Sequence, residues 1–123
     1  MFSIAKTFSK LEDLLIPNGT NVSNNIRIED AEALLVIADS VTDGVLTYTF
    51  EVTTDISSLG APAAGAVFAT LQNATPADVV PPLAGKARSL IDEIKGCIYI
   101  RIKSSANVTA NRNWRVGKTT YSG

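Results

Sequence analysis

Two stretches of strict alternation constrain this chain more than any other feature. From residue 46 to residue 53, the apolar side chains Leu46, Tyr48, Phe50 and Val52 alternate with three threonines and a glutamate. From residue 98 to residue 103, isoleucine occupies every second position. A period of two is that of a β-strand with one face in a core and the other in water. The sequence therefore predicts a fold built on antiparallel sheet.

The rest of the chain reads as short strands between turn residues. With 11 Ile, 10 Val and 12 Thr, it is rich in β-branched side chains that suit a pleated surface. Pro17-Asn18-Gly19 is strong turn chemistry and predicts a first hairpin between residues 14–16 and 22–28. Further strands are expected at 33–38, buried on both faces, at 66–71, and at 112–119 with Trp114 and Val116 facing inward.

These elements predict an all-β, jelly-roll-like antiparallel β-sandwich with at most one short helix. The helix is expected within residues 86–95, with Gly96 as its end. Residues 1–123 are expected to form one domain, with 1–13 as a candidate N-terminal arm. Ile4, Phe8, Leu11 and Leu15 also fall at helical spacing, which leaves a helix open for the start of the chain.

Charge is unevenly placed along the chain. Residues 1–85 hold 3 basic and 10 acidic side chains, whereas residues 86–123 hold 8 basic and 2 acidic ones. One interpretation is that late basic strands pair with early acidic segments inside the domain. The other is a dipolar surface that docks on a complementary neighbour.

Residues that carry catalytic chemistry are scarce. The chain has no histidine, which removes Ser-His-Asp and Cys-His arrangements and the commonest metal ligand. Cys97 is the single cysteine and is expected to be a half-buried structural thiol. The acidic clusters around Glu29 and Asp92 are expected to be solvated turns. We therefore predict a non-enzymatic protein without a cofactor or a metal site.

One set of residues is predicted to bind a partner. Arg101, Lys103, Arg112 and Arg115 lie on the last two predicted strands, close in sequence to Tyr99 and Trp114. Such a pattern occurs in nucleic-acid-binding proteins, but the sequence pI of about 5.3 argues against a nucleic-acid partner. No membrane partner is expected, because the densest apolar run, 33–38, is far shorter than a membrane span.

Three stretches resemble a known family. Residues 16–24 (IPNGTNVSN) are similar to an I-x-N-G-x-x-V-S hairpin, and residues 46–55 (LTYTFEVTTD) to an L-T-F-x-V-S-x-D-G strand. Residues 99–105 (YIRIKSS) and 110–114 (ANRNW) are similar to an R-I-R-S strand followed by an A-D-R strand. The family is that of the tailed-phage capsid decoration, or cement, proteins with a jelly-roll fold. The chain departs from the pattern at Ile56, where the family has glycine, and at Asn111, where it has an acid.

The resemblance implies a non-catalytic viral structural protein that stabilises the major capsid lattice. It implies a homotrimer that contacts the major capsid protein on the exterior of the virion capsid and is assembled in the host cytoplasm. Two alternatives stay open, a carbohydrate-binding jelly-roll module and a phage tail component. An exposed aromatic platform would favour the sugar-binding alternative, and Trp114 is the only tryptophan.

Overall fold

Strands dominate the part of the chain that the structure describes. The computed structural model describes residues 6–8, 12–38, 45–55 and 61–121. The strands are β1 (Lys6–Phe8), β2 (Glu12–Ile16), β3 (Ile26–Arg27), β4 (Ala31–Ala38), β5 (Tyr48–Thr53), β6 (Ala69–Thr70), β7 (Ala87–Leu90), β8 (Tyr99–Ser104) and β9 (Arg112–Tyr121). One 3-10 turn, Asp92–Ile94, is the only helical element in these ranges. The predicted all-β antiparallel sandwich with at most one short helix is confirmed.

The strand pairs are nested around the connection between β5 and β6. β5 pairs with β6, β4 with β7, β3 with β8, and both β1 and β2 with β9, all antiparallel. This is the pattern of one long hairpin, and wrapping that hairpin brings β9 beside β4 and β8 beside β5. The result is a jelly roll. Its sheet I has the order β1/β2–β9–β4–β7, and its sheet II has the order β3–β8–β5–β6.

The core lies between the two sheets and follows the predicted alternation. Sheet I contributes Leu14, Leu34, Val36, Leu90, Trp114 and Val116, among others, and sheet II contributes Ile26, Tyr48, Phe50, Ile100 and Ile102. Trp114 and Val116 face inward, as the alternation of the last strand predicts. The outer side of β5 differs from expectation, since Glu51 and Thr53 are buried there. Phe68, from the segment after β5, lies over that side with its ring 3.7 Å from the Arg101 guanidinium carbon.

The predicted first hairpin is wrong. The turn at Pro17 exists, with a hydrogen bond from the amide of Thr20 to the carbonyl of Pro17 and a positive φ at Gly19. However, β2 pairs with β9 in sheet I, whereas β3 pairs with β8 in sheet II. The turn therefore carries the chain from one sheet to the other. Turn chemistry specifies the reversal but not the strand that each arm joins.

The predicted helix over 86–95 is also wrong. Residues 87–90 form the edge strand β7 against β4, and only Asp92–Ile94 is helical. The spacing of Leu90, Ile91 and Ile94 fits a helix, but so short an apolar set does not distinguish helix from strand. Gly96 has a positive φ and ends the 3-10 turn rather than an α-helix. The predicted strand over 66–71 shrinks to β6.

Three fully described connections lie at one end of the sandwich, which we call the loop end. They join β2 to β3, β6 to β7 and β8 to β9, and residues 45–47 before β5 lie at the same end. Main-chain hydrogen bonds from Gly19 to Val108 and from Val108 to Thr20, each 2.9 Å, tie two of them together. Of the candidate N-terminal arm, residues 1–5 and 9–11 lie outside the described residues. Residues 6–8 and 12–13 pair with β9.

Candidate docking surfaces

The uneven charge of the sequence is partly paired within the fold. Three ion pairs each join an acid from the first 85 residues to a base from the last two strands: Asp13–Arg115 at 3.9 Å, Asp30–Lys118 at 2.9 Å and Glu51–Arg101 at 2.8 Å. The hydrogen bond from Lys118 holds the pKa of the Asp30 carboxyl below its usual range. These pairs support the intramolecular interpretation of the charge pattern.

The four predicted partner-binding residues do not form one patch. Arg101 and Lys103 lie on the outer face of sheet II, opposite Glu51 and Thr49 of β5. Arg115 lies on the outer face of sheet I, and Arg112 begins β9 with the inward parity of Trp114. The two sheets therefore put Arg101 and Lys103 on one side of the molecule and Arg115 on the other. The alternation along β8 and β9 predicts their parity, but the sequence does not show that β8 and β9 belong to different sheets.

Lys103 differs from the other basic residues of this set. The Arg101 guanidinium donates to Oε1 of Glu51 at 2.9 Å and stacks on Phe68. Arg115 approaches Asp13, and Arg112 is half-buried. Lys103 is exposed, and its ammonium has no ion pair or side-chain hydrogen bond among residues 12–38, 45–55 and 61–121. Of the four, Lys103 is the charge that the fold leaves available.

The outer face of sheet I carries bare apolar side chains. Leu35 and Ile37 project from the outer side of β4 with relative exposures of 39% and 41%. The cross-strand neighbours of Leu35 are the small residues Gly117 and Ser89, whereas Ile37 lies between Ala87 and Arg115. The sequence predicts β4 to be buried on both faces, and within one chain this is wrong. These two side chains make a small apolar surface, and we treat it as a candidate contact surface.

A second apolar surface lies at the loop end. A depression of about 210 Å³ is lined by Leu46, Thr47, Tyr48, Val80, Pro81 and Leu83. The indole Nε1 of Trp114 donates to the carbonyl of Pro82 at 2.8 Å, and the Tyr48 and Trp114 rings meet edge to face at 5.1 Å. The buried Trp114 side chain therefore holds two parts of the lining in place, the Tyr48 ring and the segment around Pro82. Sequence reasoning missed this site, because residues 79–83 have no periodicity and their prolines indicate only irregular structure.

A polar depression lies on the outer face of sheet II. Its volume is about 180 Å³, and its lining consists of Thr47, Thr49, Glu51, Thr70, Lys103, Ser104 and Ser105. Thr47 lines both depressions and is the only residue that they share. Ser105 Oγ accepts from the Thr47 amide, and the amide of Ser105 donates to the carbonyl of Thr47. These bonds fix the shared wall.

The tryptophan and the two tyrosines whose side chains the structure describes do not form the exposed platform of a sugar site of the predicted kind. Trp114 is fully buried, and Tyr48 and Tyr99 are buried as well. Cys97 is half-buried, as predicted, and burial raises the pKa of its thiol. In the described ranges, no group of three or more His, Cys, Asp or Glu side chains is arranged to hold a metal ion. No helix found there has the length and apolar character needed to cross a membrane.

The fold and its surfaces define a class: a jelly-roll domain with two partly exposed apolar side chains on one outer sheet face and two depressions that share Thr47. Comparison of the chain with protein-family models, with curated proteins and with solved structures found no match.

Proposed function

We propose that this protein is a non-catalytic assembly protein of a virus, which decorates the capsid and stabilises the major capsid lattice from outside. The nested jelly-roll pairing and the three motif stretches support this proposal. The first and third stretches adjoin in the fold, since the amide of Asn18 donates to the side-chain oxygen of Asn111 at 2.8 Å. Motifs that meet in space are better support than motifs that share only an order along the chain.

The observation that carries the proposal is the bare outer face of β4. Covering Leu35 and Ile37 with a partner stabilises the contact by about 1–2 kcal/mol each, from the apolar area still exposed. A contact of this size is weak alone. Repeated by the symmetry of a shell, or by linked copies such as the implied homotrimer, it becomes strong through effective concentration.

The test is co-sedimentation with capsids of the same virus that lack this protein. The wild-type chain is expected to pellet with the shells, and the double variant Leu35→Lys/Ile37→Lys is expected to stay in the supernatant. A matched control, Thr54→Lys/Val67→Lys, adds the same charge at exposed positions on the other side of the molecule and should bind normally. Failure of the wild-type chain to bind these shells would contradict the proposal.

A further inference from the structure

The edge of sheet I at β7 is open. β7 pairs with β4 on one side, and no strand in the part of the chain that the structure describes pairs with its other side. The side chains of Ala87 and Ser89 on this strand are small and exposed. We infer that this edge binds an extended segment of a partner protein as an added antiparallel strand, with an acidic side chain of that segment paired to Arg88. The inference does not rest on the proposed capsid contact, because it follows from the groups along the edge of the sheet.

The hydrogen-bond pattern between β4 and β7 shows which main-chain groups face the open edge. The amide of Ala38 donates to the carbonyl of Lys86 at 3.1 Å, in continuation of the register of the two strands. Hydrogen-bonded and non-hydrogen-bonded pairs alternate along an antiparallel ladder, so Arg88, two residues after Lys86, also directs its N–H and C=O groups to β4. The N–H and C=O groups of Ala87 and Ser89 therefore point away from β4, towards the open edge.

Arg88 gives this edge a charge preference. It lies directly opposite Val36 and has the inward parity of that buried residue. Its side chain is half-buried, its Nε is buried without a hydrogen-bond partner, and no acid in the described ranges forms an ion pair with it. A buried donor without a partner costs stability. A carboxylate that reaches this guanidinium would satisfy it with a charge-assisted hydrogen bond.

An added strand brings a carboxylate to this position. A segment that hydrogen-bonds to both Ala87 and Ser89 places its intervening residue directly opposite Arg88, in a non-hydrogen-bonded pair, where side chains lie closest. The two flanking side chains of the segment then lie on the outer face of sheet I, beside the small side chains of Ala87 and Ser89. Behind these stand the partly exposed Ile37 and Leu35. The segment that fits has an acidic residue between two apolar ones.

A second copy of this chain fits the edge less well. Antiparallel pairing of two β7 strands, in the register that uses both Ala87 and Ser89 of each copy, would set Arg88 opposite Arg88. Like charges directly opposite each other destabilise a strand pair, and an inward charge on an edge strand protects against unselective pairing. An acid in the incoming strand turns the same charge into an attraction. The charge therefore selects a partner strand of opposite sign.

The experiment titrates the full-length protein with the capped peptide acetyl-TVEVT-amide to about 5 mM, a range suited to weak short ligands. Amide chemical shifts are expected to change at residues 87–90, and the amides of Ala87 and Ser89 should become protected from hydrogen exchange. The charge-swapped peptide TVKVT should bind about ten-fold more weakly, through loss of the charge-assisted hydrogen bond. Absence of shifts at residues 87–90, or equal binding of the two peptides, would overturn the inference. Protection of Ala87 and Ser89 that grows with protein concentration without peptide would also overturn it, in favour of self-association.

Variants separate strand addition from general attraction. Ser89→Pro removes an N–H that faces the edge and none that bonds to β4, a position where an edge strand tolerates proline. It should abolish TVEVT binding, whereas the matched control Ser89→Ala should bind like wild type. Unchanged binding by Ser89→Pro would contradict strand addition. If this variant melts early, the comparison of the two peptides on the wild-type chain decides.

The charge is tested separately from the main chain. Arg88→Glu should weaken TVEVT binding about ten-fold, through loss of a charge-assisted hydrogen bond, and should strengthen TVKVT binding. Lys103→Glu makes the same change of charge on the outer face of sheet II and should alter neither affinity. Equal effects of the two variants, each melting like wild type, would contradict the role given to Arg88.

Discussion

Trp114 connects the core of this protein to one of its surfaces. The side chain is fully buried in sheet I, packs edge to face on Tyr48, and donates its indole hydrogen to the carbonyl of Pro82. The alternation of the last strand predicts that Trp114 faces inward. The partner of its N–H could not be predicted, because Pro82 is 32 residues away in an aperiodic segment.

Two substitutions at Trp114 should separate its packing in the core from its hydrogen bond to Pro82. Trp114→Ala is expected to lower the free energy of unfolding by about 3–5 kcal/mol, because it leaves a large cavity. Trp114→Phe keeps a ring but leaves the Pro82 carbonyl without a donor, and is expected to cost about 1–3 kcal/mol. Urea denaturation measures both. A loss under about 1 kcal/mol for Trp114→Ala would show that the side chain is not in the core.

The Asp30–Lys118 pair gives the protein a specific response to acid. Because Lys118 lowers the pKa of Asp30 in the folded chain, the pair stabilises the fold above the unfolded pKa of about 3.9. That contribution disappears as the pH falls through the lower, folded pKa. Asp30→Asn should therefore reduce the melting temperature slightly at pH 7, and its difference from wild type should disappear once the pH falls below the folded pKa of Asp30.

Asp92, a second acid in an ion pair, serves as the control for Asp30. Asp92→Asn removes an ion pair with Lys95 in which both side chains are largely exposed, so a smaller change at pH 7 is expected. Lys118, by contrast, has a side-chain exposure of only 17%. Equal effects of the two substitutions at pH 7 would contradict the role given to Lys118.

At the scale of elements, β4 shows what a sequence pattern can and cannot specify. Its continuous apolar run correctly predicts a strand. The same run predicts burial on both faces, but only Leu34, Val36 and Ala38 are buried in the single chain. Hydrophobicity indicates that a face will be covered, and it does not say whether the cover belongs to the same chain. The wrong helix at 86–95 has a similar origin, since tertiary pairing with β4 outweighs a short helical spacing.

Two adjacent leucines on β4 test this account of the strand. Leu34→Ala is expected to lower the free energy of unfolding by about 2–5 kcal/mol, as for a buried leucine. Leu35→Ala, one position along and on the outer face, is expected to cost less than about 1 kcal/mol. Because a shift of one residue exchanges the two faces of a strand, similar losses for both variants would contradict the register of β4.

At the scale of the whole molecule, the fold class follows from the sequence better than the connections do. The alternation of β5 and β8 and the turn residues predict an antiparallel sandwich, and the nested pairing forms it. Which strands become neighbours depends on contacts far apart in the chain, such as β9 beside β4, and no local signal encodes them. The candidate docking surfaces cannot be predicted locally either, because sheet I, sheet II and the loop end each combine residues from distant segments.

Ion pairing follows from the sequence only in part, for the same reason. Their position late in the chain predicts ion pairs with early acids, and three such pairs form. Which charge stays available depends on the strand opposite each one. Lys103 faces Thr49, whereas Arg101 faces Glu51. Cross-strand register, rather than composition, therefore determines that Lys103 is the basic residue of this set whose charge stays available.

Imaging of decorated shells tests the central claim most directly. Cryo-electron microscopy of capsids that lack this protein, before and after its addition, should show new density on the outer capsid surface. We expect the sandwich to fit this density with the outer face of sheet I, at Leu35 and Ile37, against the major capsid protein. Density on the tail alone, contact through another face, or no added density would contradict the account.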